Sequence, residues 1–226
     1  MYSYAPENIV ALATPPGLGA LAIIRLSGFD LSSTYRSFSH KNPIDRRAVF
    51  SNIYHPKSNK LLDEAVITYF KAPNSFTGED VVEISCHGGL MVPHSIIIAA
   101  IDNGARKANP GEFSFRAFLN GKLDLLQAEG ISSLISSKSQ LSTDVSLSHL
   151  RGRVSDSLSE IKSDALNILS IIENELNFSE DEINLTSYSE LLKKMIKIQS
   201  KVNSITKATA FGKQLLSGFR IVILGR

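Results

Sequence analysis

The stretch Val81-Val82-Glu83-Ile84-Ser85-Cys86 decides the fold of the first half of the chain. Side chains alternate between the two faces of a β-strand, so Glu83, Ser85 and His87 share one face, and Val82, Ile84 and Cys86 share the other. Three further short runs are rich in Val, Ile, Tyr and Phe and are separated by turn residues: Ala20 to Leu26, Ala48 to Tyr54 and Ala65 to Phe70. The first half therefore predicts a β-sheet.

Helices are predicted between these strands. Leu31 to Phe38 is one candidate, and Val92 to Asn103 is another that ends at Gly104, a good helix-stop residue. Strands and helices mixed within about a hundred residues favour an α/β or α+β sandwich.

The second half has a helical period. One apolar stripe predicts a single long helix, through Leu150, Val154, Leu158, Ile161, Ala165, Ile168, Ile172 and Leu176. A second stripe runs from Leu191 to Ile205, and an earlier helix starts at Leu125. Ser179 with Glu182, and Ser187 with Glu190, have capping-box spacing. The fold class predicted is α+β: a mixed α/β sheet domain followed by an all-α helical bundle. The boundary is expected between Pro110 and Lys122, where Pro-Gly and Asn-Gly pairs interrupt the pattern.

Composition excludes several classes of protein. The chain of 226 residues is 43% hydrophobic and 20% charged, as in ordinary globular proteins. Its net charge of +2 indicates no strong overall attraction to nucleic acid. The single cysteine, Cys86, excludes an internal disulfide and a cysteine-rich zinc site. No signal-peptide pattern opens the chain, and the longest apolar run, Ile96 to Ile101, is too short to span a bilayer. We expect a cytoplasmic protein without a membrane segment.

Three charged residues stand out as candidates for ligand binding, each with a plainer alternative. Arg25 shares a strand face with apolar residues, so it either reaches solvent from an edge strand or meets an anion. Glu83 lies either on a solvated sheet face or in a pocket, where its carboxylate would suit the paired donors of an aminopyrimidine or pterin. Lys122 is either a surface residue near a helix start or part of a ligand site at a domain boundary.

Other residues have weaker claims to function. His87 is expected to form hydrogen bonds rather than to catalyse, and Cys86 faces the apolar side and is expected to be unreactive. The lysines of the last helix form either a solvated face or a tRNA contact. The tail Ile221 to Leu224 has a buried-strand pattern and is followed by Gly225-Arg226, which is either the start of a phosphate loop or a frayed C-terminus.

Several segments together resemble the MnmE (TrmE) family of tRNA-modifying GTPases. The similarity is carried by long motifs in the same order: Ile9 to Gly17, Ala22 to Gly28, Ser75 to Ile84, Cys86 to Gly89, Pro110 to Ser114, Arg116 to Leu125, Gln127 to Glu129, Asn177 to Ile183 and Gly225-Arg226. The chain departs from the family pattern at Leu18, where many members have Arg, and at Phe115, where a polar residue is common.

The resemblance implies a fold and an activity. It implies an N-terminal domain (residues 1–121) like the folate-binding domain of the glycine-cleavage T protein, then the first part of a helical domain (122–217). Residues 218–226 would begin a GTPase domain that is inserted into the helical domain. With the FAD-containing partner MnmG, the family modifies carbon 5 of the wobble uridine in certain tRNAs. It uses a tetrahydrofolate one-carbon unit (5-formyl- or 5,10-methylene-tetrahydrofolate), GTP, K⁺ and Mg²⁺, and it dimerises through the N-terminal domain.

The resemblance also assigns residues. The folate contacts of the family match Arg25, Glu83 and Lys122, with Glu83 taking the pterin donors and the two cations meeting carbonyl or carboxylate groups. Gly225 and Arg226 match the start of the phosphate loop. No catalytic residue and no metal ligand is assigned within this chain, which is expected to lack GTPase activity by itself. Two alternatives remain: a stand-alone T-protein-like one-carbon transferase, and a dimerising scaffold without a ligand.

Overall fold

A computed structural model describes residues 7–177 and 186–217, together with Val222, Leu224 and Gly225. The described residues form six strands: β1 (Ile9–Leu12), β2 (Leu21–Gly28), β3 (Ala48–Tyr54), β4 (Leu61–Phe70), β5 (Asp80–His87) and β6 (Arg106–Lys107). They also form seven helices: α1 (Leu31–Ser39), α2 (Met91–Asp102), α3 (Glu112–Leu119), α4 (Leu125–Ile135), α5 (Gln140–Leu150), α6 (Arg153–Asn177) and α7 (Tyr188–Ser217). The chain divides into two compact units, Met1–Leu123 and Asp124–Arg226.

The first unit is built on one mixed sheet with the strand order β3-β4-β5-β2-β1-β6. All neighbouring strands are antiparallel except β1 and β6, which are parallel. The predicted α+β class is confirmed. Strand β1 was not predicted, because four residues are too few to display a clear alternation.

Strand β1 changes the interpretation of Arg25. It pairs with β2 and places Ala11 opposite Arg25, so β2 lies inside the sheet between β1 and β5. The edge-strand alternative for Arg25 is therefore wrong. The strand also continues to Gly28, two residues beyond the predicted end at Leu26, so Arg25 lies in its middle.

One face of the sheet is buried against α1 and α2. Ile24 and Leu26 of β2 and Val82 and Ile84 of β5 are fully buried there, beside a set of helix residues: Leu31, Tyr35, Phe38, Ile96, Ala99 and Ala100. Each large apolar side chain buried in this way stabilises the fold by roughly 1.5–3 kcal/mol. Strand alternation then places Arg25 and Glu83 on the opposite face.

Helix α3 occupies the segment that the sequence pattern assigned to a boundary. The pairs Pro110-Gly111 and Asn120-Gly121 flank a helix of two turns, and the division between the two compact units falls just after it, between Leu123 and Asp124. Gly111 precedes this helix with φ 77°, a conformation that glycine adopts easily. The backbone N–H of Lys122 donates to Ala117 O, which keeps Lys122 in the first unit.

The second unit is helical. Asp124 caps α4 through a reciprocal pair of hydrogen bonds with Gln127, and Ser139 caps α5 in the same way with Ser142. Helices α4 and α5 approach closely at Gly130. A Cβ atom there would lie 2.9 Å from Leu150 N, so a larger residue at this position would force the two helices apart.

The single long helix predicted from Leu150 onward is wrong at its start. Leu150 ends α5, and α6 begins at Arg153, because Gly152 between them has φ 76° and interrupts the helix. Within α6, Val154, Ile161 and Ile168 of the predicted stripe turn inward, whereas Leu158, Ile172 and Leu176 are exposed. The inward positions recur with a seven-residue repeat, as expected where two helices pack along a narrow seam.

Helices α6 and α7 are also joined by charges. Lys201 Nζ of α7 donates to Glu160 Oε1 and Asp164 Oδ2 of α6, both at 2.7 Å. The predicted cap at the start of α7 is present, since Ser187 Oγ accepts from the backbone N–H of Glu190 at 3.3 Å.

Some predictions fall on other parts of the chain. Ser179 with Glu182, Ile221, Ile223 and Arg226 lie outside the described residues, so the predicted cap and the predicted C-terminal strand stay predictions. In the described part of the chain, no helix combines the length and the apolar character that crossing a bilayer requires.

Candidate functional site

Arg25 and Glu83 form an ion pair in the centre of the sheet. They lie directly opposite each other on β2 and β5. Arg25 Nη2 is 2.6 Å and Nε is 2.8 Å from the same carboxylate oxygen, Glu83 Oε1. The side chains are 29% and 24% exposed, so a ligand approaching this face could reach both. Of the two alternatives left open for Arg25, contact with an anion is the one that the structure contains, and the anion is Glu83.

Two phenylalanines flank the guanidinium group of Arg25. Its Cζ atom lies 5.4 Å from the ring centre of Phe76 and 5.9 Å from that of Phe113. Each such cation–π contact contributes on the order of 0.5–1 kcal/mol at a partly exposed site. Sequence reasoning did not single out either ring. Phe76 lies within the quoted motif Ser75 to Ile84, and Phe113 belongs to helix α3, which was not predicted.

The segment from Asn74 to Asp80, here called the site loop, is anchored to the protein interior by buried polar side chains. Thr77 is fully buried and Glu79 is 7% exposed. Ser27 Oγ of β2 lies 2.6 Å from Thr77 Oγ1 and donates to Glu79 Oε2 at 2.7 Å. The loop is therefore tied to the same strand that carries Arg25.

Lys122 lies against the site loop. A Cβ atom on Gly78 would come within 3.2 Å of Lys122 Cγ and 3.0 Å of Asn120 Cβ, and Gly78 has φ 79°. Any other residue there would therefore be strained and would displace its neighbours. The loop thus contacts Arg25 through Phe76 and the aliphatic part of Lys122 through Gly78. It therefore contacts two of the three candidates that the sequence had indicated, and the third, Glu83, is paired with Arg25.

Arg116 is the most deeply buried charged residue near this site, with its side chain wholly inaccessible. Nη1 donates to Glu79 Oε2 at 2.9 Å, and Nη2 donates to Glu7 O at 2.9 Å and to Glu112 Oε1 at 3.1 Å. Arg116 belongs to one of the quoted motifs but received no role, because its partners lie far away in sequence.

Glu112 extends this network to Arg106 on β6. Its carboxylate accepts from the Arg106 guanidinium and from the backbone N–H of Asn109. The hydrogen bond from Arg106 is the largest cause that lowers the pKa of Glu112 to about 2, although burial acts in the opposite direction. The first turn of α3 is thus held in place by an ionised carboxylate.

Comparison with known proteins identifies the family. The family model described as "GTP-binding protein TrmE N-terminus" matches residues 8–122, about half of the chain, and the model "MnmE helical domain" matches residues 125–220. The chain belongs to the MnmE (TrmE) family.

Curated MnmE proteins are similar along the whole chain. The tRNA modification GTPase MnmE of Alkaliphilus oremlandii is 36% identical, over 99% of this chain and 50% of the relative. Those of Aliarcobacter butzleri and Dichelobacter nodosus are 38% and 39% identical, over 97% and 98% of this chain and 49% of each relative. The chain therefore spans about half the length of the MnmE proteins that it matches.

Two further residues of the MnmE signature follow Glu83. Cys86 is buried, and this burial, with a smaller effect from Asp63, raises the pKa of its thiol to about 11. The His87 ring is exposed, and its Nδ1 lies 2.8 Å from Asp63 Oδ1, while its backbone N–H donates to Asp63 Oδ2. His87 makes hydrogen bonds as expected, and this contact also fastens the end of β5 to β4.

Proposed function

We propose that this chain is part of a tRNA-modification GTPase whose first unit binds a reduced folate. In this proposal the whole protein uses a tetrahydrofolate one-carbon unit and GTP hydrolysis, with K⁺ and Mg²⁺, to modify carbon 5 of the wobble uridine of certain tRNAs. MnmG would be its partner in the cytoplasm. Gly225 and Arg226 would begin the phosphate loop. Membership of the MnmE family supports the proposal.

The observation that carries folate binding is the arrangement around Glu83. Both contacts from Arg25 fall on Oε1, which leaves Oε2 for the donors of a pterin ring. Oε2 has two lone pairs, so it can accept N–H donors of the kind that an aminopyrimidine edge presents. Phe76 and Phe113 supply aromatic surface beside it, which suits a planar heterocycle.

The cations complete the proposed site. Folates carry carbonyl groups on the ring and carboxylates on the glutamate tail. Arg25 on the sheet and Lys122 beside Gly78 offer positive charge next to the site loop. Arginine makes directed hydrogen bonds with planar acceptors, whereas lysine acts as a compact point charge. We assign Arg25 to a carbonyl or carboxylate near the ring and Lys122 to another anionic group of the same ligand.

The test is calorimetric titration of the chain with 5-formyltetrahydrofolate. Removing a partner from a buried hydrogen bond to a ligand costs about 1–3 kcal/mol, so Glu83→Ala should weaken binding at least several-fold. Glu64→Ala is the matched control, because Glu64 is an exposed carboxylate on β4 of the same sheet. Val82→Ala, on the buried face, should lower the free energy of unfolding and leave affinity unchanged.

Two results would contradict the proposal in different ways. A folded Glu83→Ala variant that binds like the wild type would show that the site is elsewhere. A wild-type chain that binds no folate at millimolar concentration would instead favour the scaffold alternative. Transfer of a one-carbon unit between a folate and a second substrate, catalysed by this chain alone, would favour the T-protein-like transferase.

A further inference from the structure

We propose that Arg116 is a positioning residue for the folate site. It acts through Glu79 and Thr77 to hold the site loop so that Phe76 stays against Arg25 and Gly78 stays under Lys122. The inference rests on the proposed function, since it concerns the same site. The proposal adds to the site a residue that contacts neither Arg25 nor the ligand. Arg116 would instead determine the position of the site loop.

The burial of Arg116 is the first step. Its side chain has no exposed surface, and it is paired with Glu79 and Glu112, whose side chains are 6% and 8% exposed. A buried ion pair of this kind is weak evidence for stability, because the cost of removing charges from water offsets much of their attraction. What such a group does supply is directed geometry, because its hydrogen bonds tolerate few arrangements.

The second step is the path from Arg116 to the loop. Glu79 Oε2 accepts from Arg116 Nη1 at 2.9 Å and from Ser27 Oγ at 2.7 Å. The same Ser27 hydroxyl lies 2.6 Å from Thr77 Oγ1. One carboxylate oxygen therefore joins α3, β2 and the site loop, and Ser27 lies two residues after Arg25 on β2.

The third step concerns one face of α3 and its C-cap. Phe113, Arg116 and Asn120 follow the helical spacing i, i+3 and i+7, so they lie on the same side. Phe113 approaches Arg25, Arg116 binds Glu79, and Asn120 Nδ2 donates to Thr77 O at 2.7 Å. This face of the helix therefore contacts Arg25 or the site loop at its start, its middle and its C-cap.

The fourth step follows from alternation within the loop. Thr77 and Glu79 point into the protein, whereas Phe76 and Gly78 are accessible and contact Arg25 and Lys122. Neighbouring residues share a short, stiff backbone. Anchoring the buried pair therefore sets the position of the accessible pair.

The test exploits the absence of tryptophan from the chain. Phe76→Trp places the only tryptophan of the chain in the loop, and Phe50→Trp, at an exposed position on β3, is the matched control. Arg116→Lys keeps the charge but loses the forked donors, so it changes geometry more than electrostatics. We expect acrylamide quenching of the Trp at position 76 to rise about twofold, with no change at position 50. In the protein without an introduced tryptophan, Arg116→Lys should weaken the binding of 5-formyltetrahydrofolate about tenfold relative to the wild type.

A purely structural role predicts a different outcome. If Arg116→Lys lowers the melting temperature but leaves both quenching at position 76 and folate affinity unchanged, the proposal is overturned. Should Arg116→Lys fail to fold, Ser27→Ala takes its place, because it removes the hydroxyl that joins Glu79, the partner of Arg116, to Thr77 of the loop. It should raise quenching at position 76 in the same direction and by less, and no change would overturn the proposal.

The two proposals fail separately. The quenching experiment needs no ligand, so it reports on the loop even if the wild type binds no folate. Absence of folate binding would overturn the proposed function, while unchanged quenching would overturn the role of Arg116.

Discussion

At the scale of single residues, neighbours on β5 have opposite chemistry. Glu83 and Cys86 are three positions apart, yet one is accessible beside Arg25 and the other is buried among apolar side chains. The alternation of side chains along a strand is sufficient to produce this difference, because successive residues point to opposite faces of the sheet. The accessible face carries the proposed site, and the buried face carries the core.

The buried position makes a testable prediction for Cys86. Burial raises the pKa of its thiol to about 11, so only about one thousandth of it is thiolate at pH 8. Alkylation by iodoacetamide at pH 8 should be at least about a hundredfold slower in the native protein than in guanidinium chloride. As the chain has one cysteine, total labelling reports on this site alone. Equal rates in the two conditions would show that the assigned strand face is wrong.

At the scale of elements, α3 connects the site to the rest of the first unit. Its first turn is held by Glu112, which is paired with Arg106 of β6 and with Arg116 of the helix itself. The C-cap residue of the helix, Asn120, holds the site loop by donating to Thr77 O. A two-turn helix has little stability in isolation, so these tertiary contacts determine where it forms.

This arrangement predicts how stability depends on pH. The pKa of Glu112 is about 2 in the folded chain against an ordinary 4.5, so the ionised form stabilises the fold above pH 4.5. That contribution, on the order of 3 kcal/mol, is lost as the pH falls from 4.5 towards 2. In urea unfolding, the wild type should exceed Glu112→Gln in stability at pH 7, and the difference should shrink steadily below pH 4.5.

Glu64→Gln is the control for this measurement, because Glu64 is exposed on β4. Its difference from the wild type should be small at every pH. A Glu112→Gln difference that stays constant from pH 7 to pH 3 would contradict the assigned ion pair.

At the scale of the whole molecule, we expect association into a homodimer through the first unit. The resemblance to the MnmE family implies it, and the first unit leaves several large apolar side chains exposed: Leu18, Leu21, Phe29, Phe50, Leu90 and Met91. Apolar surface of this kind provides a driving force for association. Sedimentation at micromolar concentration should show a dimer that persists at high salt, because apolar contacts are not screened. A protein that stays monomeric at every concentration up to about 100 micromolar would refute the prediction.

The sequence by itself determined the class of each half and the candidates for the site. Alternation in β5 placed Glu83 and Cys86 on opposite faces, and a helical period marked the second half. Both are local properties, readable within about ten residues. The motifs that resemble the MnmE family supplied Arg25, Glu83 and Lys122 as one group, which the residues taken singly did not.

The tertiary structure decided which of these residues meet. Arg25 and Glu83 are 58 positions apart, and only the pairing of β2 with β5 brings them together. Helix α3, strand β1 and the break at Gly152 were missed or misplaced because they are short or depend on distant partners. The bond from Arg116 to Glu79 spans 37 residues. Periodicity carries no information over such distances, because it specifies which face a side chain takes and not what that face packs against.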